Sequence, residues 1–78
     1  MSKIEDAIQN MLIVGINPDD VKILKENTTE SNKALDDIQY EVTRSIEKAK
    51  SDPSLYVYLP VFGTTQKILN DIKDIIYK

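Results

Sequence analysis

Apolar residues recur along this chain in steps of three and four with polar residues between them, a spacing that predicts helices. Ile4, Ile8, Met11 and Leu12 fall on one face of a short first helix over 3–15. Ser2 and Glu5 have capping-box spacing at its start, and Gly15 is placed to stop it in a left-handed conformation. Asn17-Pro18-Asp19-Asp20 opens the next helix. Asn17 can cap, Pro18 suits the first helical position, and both aspartates lie at the positive end of the helix dipole. From there Val21, Leu24, Thr28, Ser31, Leu35, Ile38, Val42, Ser45 and Ala49 form a seam that keeps its phase, with no Gly or Pro before Pro53. The seam predicts one helix over 18–50, roughly 50 Å long, with Lys48 and Lys50 at its negative end. Its middle, Glu26 to Asn32, is polar, and the alternative there is a loop with a new cap at Thr29, Ser31 or Asn32.

Ser51-Asp52-Pro53 reads as a stop and restart, Asp52 capping and Pro53 opening a further helix over 53–77. Its seam is Leu55, Tyr58, Phe62, Thr65, Leu69, Ile72 and Ile76. Pro60 lies inside it and predicts a kink, because its ring meets the carbonyl of Tyr56. Tyr56-Val57-Tyr58-Leu59 alone would pass for a strand, but nothing in the chain offers it a pairing partner. The expected fold is therefore all-α: a single domain over 1–78 with a long, coiled-coil-like antiparallel helical hairpin after a short N-terminal helix. Val57, Val61, Ile68, Ile75 and Tyr77 fall outside the seam of the last helix, and so wide an apolar arc calls for a second contact surface. An oligomer is expected. Its interface is assigned to Leu35, Ile38, Val42, Ala49, Leu55, Tyr58, Phe62, Leu69, Ile72 and Ile76.

Composition narrows the chemistry. The 78 residues include no Cys and no His, which excludes disulfides, thiolate or imidazole metal ligands, and nucleophile schemes built on Cys or a His base. Asp19-Asp20 and Asp36-Asp37 are adjacent pairs that point to different sides of a helix, and Asp71 and Asp74 read as solvated surface. Gly15 and Gly63 are isolated, so there is no phosphate loop, and Gly63 beside Phe62 reads as a close helix crossing. No catalytic residue, metal ligand or cofactor is expected. The N-terminus lacks signal-peptide order and the apolar run Met11 to Val14 is too short to span a bilayer, so a cytoplasmic protein without a membrane partner is expected.

Net charge is -3, which disfavours a free-standing duplex binder. Arg44, Lys48 and Lys50 nevertheless cluster near the corner and are candidate phosphate contacts, against a plainer role as capping charge with Arg44 paired to Glu41 or Glu47. Tyr40, Tyr56, Tyr58 and Tyr77 suit packing better than stacking on bases.

Between Leu35 and Ile75 the chain resembles the small terminase subunit of large contractile-tailed bacteriophages. The resemblance lies in Ile46-Glu47-Lys48-Ala49-Lys50, the Ser51-Asp52-Pro53 break, Leu59, Gly63-Thr64-Thr65, and Ile68-Leu69 leading to Lys73-Asp74-Ile75. It implies a ring of subunits held by hairpin-to-hairpin packing, engaging viral DNA and stimulating the large terminase subunit in the cytoplasm of an infected cell. The chain departs from that family in being short, without long flanking segments of the kind expected to contact DNA and the motor. It is also acidic, so its core is expected to hold DNA only weakly. The competing expectation is a small helical regulatory module that docks a host or viral protein; a structural helical-bundle dimer is the third.

Overall fold

A computed structural model describes residues 2–77, and 92% of the molecule is helical, with no strand among the described residues. The described residues form four α-helices, α1 Lys3–Val14, α2 Pro18–Glu26, α3 Thr28–Ser51 and α4 Leu59–Tyr77, with a 3₁₀ helix Pro53–Tyr58 leading into the last. Local chemistry accounts for most of the boundaries. Ser2 Oγ accepts from the amide of Glu5 at 3.1 Å and starts α1. Gly15 ends it with its amide donating to the Met11 carbonyl at 3.0 Å. Its φ of 123° is positive as the sequence implied, but ψ of 164° places it in the extended glycine-only region rather than the left-handed helical one. Asn17 Oδ1 accepts from the amide of Asp20 at 3.0 Å, with Pro18 in the first turn. Asp52 Oδ1 accepts from both the amide and the hydroxyl of Ser54, at 3.0 and 2.8 Å, and opens the 3₁₀ helix.

Two elements differ from the sequence reading. The helix expected over 18–50 is two helices, broken at Asn27, which leaves helical geometry at φ -136°, ψ 60°. A continuous helix of that length would run about 50 Å, whereas the longest dimension of the whole molecule is 41 Å. The break pays for itself in burial: it lets α2 turn back so that Leu24 is fully buried with α1 and α4. Ser31 secures the corner, its buried hydroxyl donating to the Leu24 carbonyl at 2.8 Å. None of the predicted caps, Thr29, Ser31 or Asn32, is used; Asn27 is the N-cap residue of α3 and makes no side-chain capping bond.

The second difference is at Pro60, where a kinked α-helix was expected. The chain instead winds as 3₁₀ helix to Tyr58 and becomes α-helical at Leu59, so Pro60 is the second residue of α4. There a missing N–H costs nothing, because first-turn amides have no partner within the helix.

The core joins Ile4, Ile8 and Met11 of α1, Leu24 of α2, Leu35 and Val42 of α3, and Leu69, Ile72 and Ile76 of α4. α3 and α4 pack along each other. The Gln39 and Gln66 side-chain amides exchange a reciprocal pair of hydrogen bonds, and Lys73 Nζ lies 3.7 Å from Asp36 Oδ1, so the pairs step down α3 as they step up α4. α1 runs beside α3 in the same direction, Ser2 and Glu5 sharing a groove with Glu30 and Lys33, and Gln9 sharing the next with Ile38 and Glu41.

Candidate interaction surface

α1 and α2 are too short to cover α3. At about 1.5 Å per residue they extend roughly 18 and 14 Å against about 36 Å for α3. All large, fully buried side chains accordingly lie before Val42 or from Leu69 onward. The stretch from Thr43 to Gln66 forms an arm of α3, the 3₁₀ helix and the start of α4, in which Ala49 is the one buried hydrophobic residue. Ser45, Ile46, Leu55, Leu59 and Phe62 are half-buried along it.

Outward from the arm point Tyr56, Val57 (72% exposed), Tyr58 and Val61 (60% exposed). The Tyr58 and Phe62 rings tilt together with centroids 6.3 Å apart, and the Tyr56 hydroxyl donates to the Lys50 carbonyl at 3.4 Å. These contacts hold three aromatic side chains while leaving an apolar surface in water, the combination that marks interaction sites. A second exposed apolar group lies at the turn between α1 and α2, where Ile13 (81%), Val14 (76%) and Ile16 face solvent. Tyr77 is exposed on α4.

The assigned interface residues divide between these settings. Leu35, Val42, Ala49, Leu69, Ile72 and Ile76 are buried inside one chain, and Ile38 is half-buried against the same core. The assignment of those seven to contacts between subunits is thereby revised, since α1, α2, the 3₁₀ helix and the α3–α4 contact already cover them. Leu55 and Phe62 lie half-buried on the arm, and Tyr58 lies exposed there. The turn Ile13-Val14-Gly15-Ile16 was missed: its residues read as the tail of the first helix, and nothing in their spacing says that α1 ends with them unburied.

Of the candidate phosphate contacts, Arg44 and Lys48 line one open depression with Glu41 and Ser45, of about 350 Å³. Arg44 is not ion-paired to Glu41 or Glu47; its guanidinium lies over the Tyr40 ring, 5.8 Å from the centroid. Lys50 is exposed nearby but does not line that depression. Gly63 is not a close crossing: a Cβ there would meet nothing within 4 Å. Thr64 and Thr65 spend their hydroxyls on the Pro60 and Val61 carbonyls, both at 3.0 Å, as helix-facing threonines do.

One carboxylate is clearly perturbed. Asp20 Oδ2 accepts from the side-chain amides of Asn10 and Asn17, both at 2.6 Å, and these bonds hold its pKa below the ordinary 3.8. The arrangement ties α1 to α2 and completes a reciprocal cap. Among the described residues, no three carboxylates gather where a metal could sit, and no helix is long and apolar enough to cross a membrane. No protein-family model, curated protein or solved structure matches the chain.

Proposed function

We propose that this chain is a non-enzymatic assembly subunit, the small terminase subunit of a contractile-tailed bacteriophage, which forms a ring, engages viral DNA and regulates the large terminase subunit during genome packaging. The reading rests on the resemblance from Leu35 to Ile75. The observation that carries it is the arm: its exposed apolar set of Tyr56, Val57, Tyr58 and Val61 is left uncovered by the chain's own α1 and α2. In this reading α3 and α4 are the antiparallel hairpin, their inner seam holds each subunit together, and the outer face of the arm packs on neighbours. Arg44 and Lys48, on a separate open face, would supply phosphate contacts that recur with the symmetry of the ring.

Native mass spectrometry of the purified chain tests this reading. One discrete mass, a fixed large multiple of the 8.9 kDa subunit and constant on dilution, supports a closed ring. A monomer, or a ladder of masses that grows with concentration and never closes, contradicts it.

A further inference from the structure

We propose that two copies of this chain exchange their α1–α2 units, α2 straightening into α3 at Asn27 and carrying α1 onto the α3–α4 face of the second copy. The inference goes beyond the assembly reading and does not depend on it, since it uses no residue of the arm. It starts from a conflict at the α2–α3 corner. Val21, Leu24, Thr28, Ser31 and Leu35 keep one phase through the corner, and no Gly or Pro lies between Pro18 and Pro53. Yet Asn27, alone between the two helices, leaves helical geometry and makes no capping bond. Two side chains there occupy the places of helical amides. The Asn27 side-chain amide donates to the Ile23 carbonyl at 3.5 Å, the acceptor its own backbone amide takes in a continuous helix. The Ser31 hydroxyl donates to the Leu24 carbonyl at 2.8 Å, the acceptor of the Thr28 amide in a continuous helix. Straightening returns both carbonyls to backbone amides. What it breaks is the packing of α1 and α2 on their own α3 and α4.

A second copy restores that packing. Ile4, Ile8 and Leu24 already fit Leu35, Leu69 and Ile72 within one chain, and another copy offers the same surface. Reciprocal exchange covers both surfaces and closes with two copies, the low-cost route to a dimer. The hydrogen bond from Asn10 to Asp20 at 2.6 Å keeps α1 and α2 together as the piece that moves. A hinge of one residue favours exchange, because short hinges leave the closed chain little slack in which to turn. Closure within one chain competes as an effective concentration on the order of millimolar, so dilute chains stay closed and exchange sets in near that range.

The test uses the full chain carrying Val57→Asp/Val61→Asp, so that contacts through the arm are absent. Gln9 of α1 and Glu41 of α3 are exposed and line one groove, and the chain has no cysteine of its own. Gln9→Cys and Glu41→Cys are made in separate chains, mixed in urea, refolded together at about 1 mM or roughly a hundredfold more dilute, and treated with a short bismaleimide. One chain carrying both cysteines, cross-linking within itself when dilute, is the positive control. The proposal expects a cross-link between the two chains at the higher concentration and little at the lower. Asn27→Ala should raise the dimer association constant about tenfold, through helix propensity at both hinges. Two glycines inserted after Asn27 should abolish the cross-link. No cross-link between chains at high concentration, with the control positive, would overturn the exchange and leave the assembly reading standing. A cross-link indifferent to Asn27→Ala and to the insertion would overturn it too, because association would then not pass through the corner. A negative control would overturn the α1–α3 contact on which the exchange rests.

Discussion

Gly15 and Gly63 stand in opposite situations, although the sequence offers both as lone glycines. Gly15 sits at φ 123°, where a side chain is strained whatever the space around it. Gly15→Ala is expected to cost about 1–3 kcal/mol, read as a lower urea midpoint. Gly63 lies within α4 with open space beside it, so Gly63→Ala should stabilise by about 1 kcal/mol through helix propensity alone. A loss of stability on that substitution would mean that Gly63 meets a neighbour after all. At Asp20 the sign of the pH dependence follows from its lowered pKa. Hydrogen bonds from Asn10 and Asn17 favour the charged carboxylate in the folded state, so the contribution is complete above the unfolded value near 3.8 and is lost as pH falls through the lower folded value. Amide-exchange protection at the α1–α2 turn, relative to the intrinsic rate at each pH, should therefore fall selectively below about pH 4, and Asp20→Asn should abolish that selectivity.

Among the elements, those with local signals were legible before the structure. Ser2, Asn17-Pro18 and Asp52-Pro53 opened helices where the sequence placed them, because a cap and its recipient amide lie within three residues of each other. The α2–α3 break was legible only as the alternative, a loop within Glu26 to Asn32, and its position at Asn27 was not. The apolar seam passes through Glu26 to Asn32 in phase, so periodicity favours continuity, and what breaks the helix is the distant gain of burying Leu24 under α1 and α4. The same holds for the candidate surface. Its Leu55, Tyr58 and Phe62 could be read from the seam, but which seam positions are consumed within the chain depends on how far α1 and α2 reach along α3. The corner's own chemistry can be tested. Ser31→Ala removes one of two donors to the buried Leu24 carbonyl, which keeps the Asn27 amide at 3.3 Å, and is expected to cost about 0.5–1.5 kcal/mol in urea unfolding. A negligible effect would mean that the α2–α3 corner is held by packing alone.

Over the whole molecule, the division between a four-helix base and an arm lets folding and the proposed assembly be tested apart. Leu69→Asp places a charge at a fully buried position and should unfold the subunit, so it says nothing specific about neighbours. Arm substitutions are cleaner because Val57 and Val61 are exposed within one chain. The depression at Arg44 and Lys48 provides a third separation. Arg44→Ala with Lys48→Ala should weaken binding of duplex DNA at low salt and flatten its salt dependence while leaving the oligomer mass unchanged. Unchanged affinity would remove that face from any role in DNA contact.

The claim that the chain assembles through its arm is tested most directly by absolute mass from light scattering on a sizing column, comparing wild type with Val57→Asp/Val61→Asp at matched concentrations. The account predicts a large, concentration-independent mass for wild type and a folded monomer, with unchanged helical circular dichroism, for the double variant. A wild-type monomer, or a double variant that keeps the wild-type mass, would contradict it.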